Sequence, residues 1–271
     1  MSTLLPAVRA LRARRSLILA YHGVGPAHPL EDPHNLCVSQ ERFEAQVGLL
    51  RRAGFRFLTV AQLAELASGG PPPPGHVALS FDDGMENNHS LLLPLLRRHG
   101  LPATVYVATG LIGAPNPWMA PAAGARMMTE EEIGELAAAG IELGAHTVTH
   151  PDLSRLDRDA CLREMAESRR ELERIAGAPV RTLAYPFCRY GEAAMAAAAD
   201  AGFTAAVTCE GRGAWRRFEL PRAMITGVDG MGRFALKLAG AYHPLRDSAP
   251  GRAVRVVTRS ARARARRRGW S

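Results

Sequence analysis

Residues 76–84 read HVALSFDDG, an apolar run that stops at two adjacent acids and a glycine. Two carboxylates at the end of a buried strand are costly to desolvate unless something pairs with them. The strand therefore has to deliver Asp82 and Asp83 to a partner. Outward from it the chain alternates strand and helix patterns. "SLILAYHG" from residue 16 is strand-like, "VSQERFEAQVGLLRRAG" is helical and ends at Gly54, and "FRFLTV" is a strand whose Thr59 can cap "VAQLAELASGG". Beyond the stiff connection "GGPPPPG" come "HVALSF", "NNHSLLLPLLRRHG" and "ATVYVAT", then a long loop from Gly110 to about Met128. A helix opened by a Thr129–Glu132 capping box follows. "IELGAH", "RDACLREMAESRRELERIAG", "RTLAYPF", "GEAAMAAAADAG" and "FTAAVTC" complete roughly seven β-α units. Such alternation implies a parallel sheet with helical cover, as an open sheet or as a barrel. Tyr21–His22, Asp82–Asp83, His146 with His150, and Tyr185 each close a different strand. In a barrel those ends converge on one face, so the barrel is expected.

Composition sets bounds. The 271 residues, 47% of them hydrophobic, suffice for one α/β barrel domain. No stretch of about 18 apolar residues is present to span a membrane. The arginine cluster at residues 9–15 precedes a short apolar run ending at polar Tyr21 and His22, unlike a secretory signal, so a cytoplasmic location is expected. Cys37, Cys161, Cys188 and Cys209 form no CxxC pair and read as free thiols, with a nucleophilic Cys188 the lesser alternative. The net charge of +8 equals the eight arginines of residues 252–271, a stretch without acids, so residues 1–251 sum to zero. The domain itself is then no specific nucleic-acid binder. The expected division is a basic arm at 1–15, the domain at 16–240, and an arginine-rich, flexible tail at 241–271. Both basic ends read first as solvated arms. Peripheral contact with the anionic inner face of a membrane is the second reading, and sequence-independent phosphate binding the third.

"AHTVTHP" places His146 and His150 after a strand, and Pro151 argues for a loop rather than a helix. An HxxxH alone is more often a pair of satisfied loop histidines. With an Asp–Asp pair at another strand end the metal reading wins, because two histidines and one carboxylate form a zinc ligand set with an open position.

"SFDDG", "HTVTHPDL" and "LAYPF" together resemble the polysaccharide deacetylase family, also called the NodB-homology domain or carbohydrate esterase family four, over roughly residues 16–230. The resemblance implies a distorted (β/α)7-type barrel in one domain. It implies a hydrolase that removes acetyl groups from an N-acetylated sugar or polysaccharide with one divalent ion, zinc first and Co2+ or Ni2+ as alternatives. Asp82 becomes the general base, and Asp83, His146 and His150 the metal ligands. This division suits adjacent strand residues, which point in opposite directions. The early Tyr-His segment resembles a permuted branch of the family and implies that His22 is the general acid. Tyr185, Pro186 and Phe187 are the implied substrate and oxyanion residues, with the Phe187 N–H donating to the oxyanion. Here the chain departs from the pattern. Cys188 stands where many relatives have glycine, and Ala184 stands where they have arginine. Arg222 of "ELPRAMI" could replace that arginine and orient Asp82, or form only a surface ion pair. Trp118 of "NPWMAP" is expected near the barrel mouth. The alternatives are hydrolysis of another small amide or ester at the same site, and a non-catalytic carbohydrate-binding relative.

Overall fold

The computed structural model describes residues 2–26, 30–209 and 215–242. The expected tail therefore lies outside the described residues from position 243 onward. The elements in chain order are α1 (Leu5–Arg12), β1 (Leu17–Tyr21), β2 (Gly23–Val24), β3 (Cys37–Val38), α2 (Gln40–Ala53), β4 (Arg56–Leu58), α3 (Val60–Leu66) and β5 (His76–Phe81). There follow α4 (Leu93–His99), β6 (Thr104–Val107), α5 (Glu130–Ala138), β7 (Glu142–Ala145), α6 (Arg158–Ala176), β8 (Thr182–Ala184), α7 (Glu192–Asp200), β9 (Ala205–Val207), β10 (Ala223–Met224) and α8 (Met231–Leu238).

The main sheet is parallel in the order β10-β1-β5-β6-β7-β8-β9, with β4 beside the first half of β5. Leu220 pairs with Val207 of β9, while Ala223 and Met224 pair with β1. The segment 220–224 thus spans from the last strand to the first and curls the sheet into the expected distorted barrel. Small β2 and β3 pair separately.

Side-chain parity divides the protein into an inner and an outer core. Along β5, Val77, Leu79 and Phe81 join the large cluster beneath the helices, while Ala78 joins a smaller cluster inside the barrel with Ile18, Tyr106, Ala184, Ala205 and Val207. Alternation on each strand follows from the two-residue period. Val60 and Leu63 of α3 belong to the inner cluster, so this helix plugs the barrel floor. Its Thr59–Gln62 capping box, the Val60 N–H to Thr104 Oγ1 bond (2.9 Å) and the half-buried Glu142, which accepts from Ala61 N, hold it there.

Two expectations change in detail. The first basic segment is no free arm: its residues 5–12 form a helix with Val8 buried, docked on α2 through Arg9 to Arg52 O and Arg12 to Gly54 O. Leu4, Leu5 and Leu11 pack against the outer core, which gives the helix an apolar reason to dock. Before α4 the chain makes a π turn over Asn88–Leu92.

Inside the barrel Gly144 leaves room for the Tyr106 ring, since a Cβ there would lie 2.3 Å from it. Gly144→Ala should cost about 1–3 kcal/mol through overpacking. Urea unfolding measures this, and a variant as stable as the parent would show that the ring is not pinned.

Candidate active site

Parity carries the site residues inward. His22, Asp82 and His146 continue the inward-facing series of β1, β5 and β7. The register that pairs Tyr21 with Phe81, extended by Asp82 N–H donating to Tyr21 O (2.9 Å), sets His22 and Asp82 side by side. Asp83 would face outward on a continuing strand. The strand has ended, however, and Asp83 (φ 78°) and Gly84 (φ 81°) take left-handed backbone that turns the carboxylate back over the mouth. Thr147, His150, Phe187 and Cys188 are also non-glycine residues with positive φ, all at this mouth. Such conformations persist only where surrounding contacts enforce them.

Asp83, His146 and His150 each offer one ligand atom, all within 4.8 Å of one another. His146 Nε2 lies 3.4 Å and His150 Nε2 3.5 Å from Asp83 Oδ1, and the two Nε2 atoms are 3.2 Å apart. His146 Nδ1 is 2.8 Å from Ala184 O, which fixes its proton there and leaves Nε2 a bare lone pair in the neutral ring. Three electron-rich atoms converging in this way fit a cation in a carboxylate–imidazole set with room for a further ligand. Burial would raise the Asp83 pKa, but the His146 and His150 imidazoles against its carboxylate hold it far below the carboxylate range. Burial keeps His150 below its ordinary value. Burial opposes charge on His146 too, but the Asp83 and Asp82 carboxylates outweigh it and raise its pKa.

Asp82 is held differently. Arg222 grips it with two bonds, Nη1 to Oδ1 at 2.6 Å and Nη2 to Oδ2 at 2.8 Å, both buried. The guanidinium is fixed by Nε to Thr208 O (2.9 Å), by Nη1 to Ser80 Oγ (3.1 Å) and by the Tyr106 face, 5.6 Å from ring centre to Cζ. Arg222 thus orients Asp82 from a buried position and makes no surface pair. Burial pushes the Asp82 pKa up, yet Arg222, then His146 and His22, bring it below the usual value. His22 Nδ1 is buried without a hydrogen-bond partner among the described residues, and Asn88 Nδ2 holds the His22 carbonyl at 2.8 Å.

One placement fails. Tyr185 continues the outward series of β8: its ring is buried in the outer core, stacked on Tyr190 at 4.4 Å, with its hydroxyl donating to Phe218 O. Pro186 is buried, whereas Phe187 is 56% exposed, with its ring 4.6 Å from that of His150. Trp118 flanks the same imidazole at 4.8 Å, as expected of a residue at the mouth. The sequence reading missed Glu164, which accepts from Val148 N, Thr149 N and Thr149 Oγ1 and so moulds the loop between the two histidines. A lone acid on an amphipathic helix carries no signal for that task.

Cys188 and Cys209, expected as free thiols, are joined in a disulfide. Adjacent strands explain it: Ala184 pairs with Val207, so the residues just beyond each fall side by side, which a separation of 21 residues conceals.

The sequence model for polysaccharide deacetylases matches residues 69–206, just over half of the chain. The chain belongs to the polysaccharide deacetylase family. It is 28% identical over 194 residues to YxkH of Bacillus subtilis (strain 168), covering 71% of this chain and 64% of that protein. It is 26% identical over 191 residues to the poly-beta-1,6-N-acetyl-D-glucosamine N-deacetylase of Staphylococcus aureus (strain MRSA252), covering 64% of each. The chain thus spans just under two thirds of the length of these curated relatives. Among solved structures it resembles the Streptococcus pyogenes deacetylase PplD in complex with acetate, with a TM-score of 0.69 and 26% identity over 83% of this chain and 98% of that one. The polysaccharide deacetylase BC0361 of Bacillus cereus shares the fold, with a TM-score of 0.69 at 23% identity over 83% of this chain and 69% of that one.

Two outcomes follow from this geometry. With Nδ1 held by Ala184 O, a proton taken up by His146, whose pKa is raised, occupies Nε2 and competes with a cation for it. Zn2+ affinity should therefore fall at least tenfold from pH 7.5 to 5.5 in equilibrium dialysis, and pH-independent occupancy would refute the ligand set. Closing a loop of this length should stabilise the fold by about 3 kcal/mol. Cys188→Ser with Cys209→Ser should lose that much in urea unfolding. Cys188→Gly with Cys209→Ser should lose less, because glycine accepts φ 57° without a tether.

Proposed function

We propose that the chain is a metal-dependent hydrolase that removes acetyl groups from an N-acetylated sugar or polysaccharide. The observation that carries this reading is the pairing of an Arg222-clamped Asp82 with the convergent Asp83, His146 and His150 set next to it. The names of the staphylococcal relative and of the acetate-bound neighbour support the substrate class. Asp83, His146 and His150 would hold one divalent ion, zinc first by its preference for this donor set, with Co2+ or Ni2+ as alternatives. When bound, such an ion acidifies water and polarises the acetyl carbonyl.

The chain's own groups do the rest. Asp82 accepts the proton of the attacking water, and Arg222 keeps its carboxylate ionised and aimed. Both oxygens are engaged by the guanidinium but keep lone pairs free to accept. His22, beside Asp82, donates a proton to the leaving amine. The Phe187 N–H, bonded to no carbonyl among the described residues, supplies a donor for the carbonyl oxygen as it gains charge. Trp118 and Phe187 flank the cleft with apolar surface suited to a sugar ring. The disulfide supports an oxidising compartment, against the cytoplasmic expectation, because such bonds are rare in the cytosol. No helix among the described residues is long and apolar enough to cross a membrane.

The test separates the two carboxylates. Asp82→Asn should keep the metal and lower acetate release from N-acetylglucosamine oligomers by 10²–10⁴-fold. Asp83→Ala should lose the metal as well. Metal content by mass spectrometry and acetate release are read together. Turnover unchanged in Asp82→Asn would remove the base assignment, and no acetate from any N-acetylated saccharide would remove the substrate class.

A further inference from the structure

The parallel strands β1, β4, β5 and β6 are neighbours, so whatever precedes them gathers at one end of the barrel, opposite the Asp82–His146 mouth. Arginine is what precedes them. Arg9, Arg12, Arg14 and Arg15 come before β1, Arg51, Arg52 and Arg56 before or at the start of β4, and Arg97 and Arg98 before β6, all exposed. Contacts join them into one face. Arg9 donates to Arg52 O, Arg12 donates to Gly54 O, and Arg51 donates to the carbonyl of His99, which follows Arg97 and Arg98. Residues 1–16, 45–58 and 95–107 contain no acid, and among the described residues Glu44 alone pairs with one of the nine, Arg98 at 3.5 Å. Residues 1–251 are neutral overall, so this concentration is a matter of placement.

Two further features share this end. Gly240, just past α8, lies against Arg15, so the end of α8 meets this face. Leu66, at the floor end of α3, is 44% exposed and is followed by exposed Pro71, Pro73 and Pro74.

We infer that this end of the barrel is a docking face for an anionic phospholipid surface. Basic residues near such a surface contribute additively and are screened by salt. The exposed leucine and prolines favour lipid over nucleic acid, since a headgroup layer takes up apolar side chains and a phosphate backbone does not. The arginines are spread over the ends of several elements rather than along one helix or groove, which suits a broad surface. The six residues of β5, about 20 Å long, then separate the lipid from the mouth, which faces away from it.

The experiment is co-sedimentation of the full chain with phosphatidylcholine vesicles with and without 30 mol% phosphatidylglycerol, at about 0.1 M salt. Arg14, Arg56 and Arg97 make no side-chain hydrogen bond or ion pair with the described residues, so Arg14→Glu, Arg56→Glu and Arg97→Glu together test the face with the tail intact. The expected result is binding to the anionic vesicles only, lost at high salt and weakened at least tenfold in this triple variant. Arg155→Glu, Arg163→Glu and Arg170→Glu, the same charge change on and before α6, should change it less than twofold. Equal binding to both vesicle types, wild-type binding by the first triple variant, equal loss in both triple variants, or displacement from vesicles by an equimolar duplex DNA oligomer would each overturn the proposal.

Discussion

The bidentate pair between Arg222 and Asp82 is the contact on which the mouth of this barrel depends. Both side chains are almost fully buried, so neither can lose its partner without leaving a naked charge inside the protein, an error worth about 3–5 kcal/mol. The pair fastens the 220–224 segment to the end of β5. Through Thr208 O and Ser80 Oγ it also engages the end of β9 and the interior of β5. The Tyr106 ring braces the guanidinium from below and is itself accommodated by the bare backbone of Gly144. A glycine on β7 thus bears, through two side chains, on a carboxylate at the end of β5.

Around this fixed centre the mouth is assembled from backbone that ordinary sequences avoid. Five non-glycine residues with positive φ surround one small volume, each held by something specific. Thr147 Oγ1 receives the His150 N–H, Glu164 gathers the loop between the histidines, and the Cys188–Cys209 bond ties down the turn after β8. Strain is concentrated at the mouth while the strands beneath stay regular. This is the usual division between a rigid scaffold and the loops it positions.

The two ends of the barrel differ in kind. The mouth gathers two buried acids, a buried histidine and two half-buried ones, packed against one another. The floor is plugged by α3 and ringed by exposed arginines that hydrogen bond to carbonyls more than to acids. Parallel strands make that segregation possible, because every strand begins at one end and finishes at the other.

Much of this was legible in the chain. The alternation of strand and helix patterns implied a parallel sheet with helical cover, because burial periodicity is a local property, and the polar strand ends favoured a barrel. Polar residues closing apolar runs gave His22, Asp82, Asp83, His146 and His150, because a carboxylate or imidazole ending a buried strand needs a partner. Three matters required the tertiary structure. Tyr185 closes a strand too, but parity turns its ring outward, and the phase of a three-residue strand cannot be read from its letters. Arg222 lies 140 residues from Asp82, and only the closing of the sheet brings guanidinium to carboxylate. Cys188 and Cys209 carry no spacing signal, and only the adjacency of β8 and β9 joins them. The sequence determined which residues needed partners; the curl of the sheet decided which partners they found, because contacts across a barrel depend on strand order and register rather than on distance along the chain.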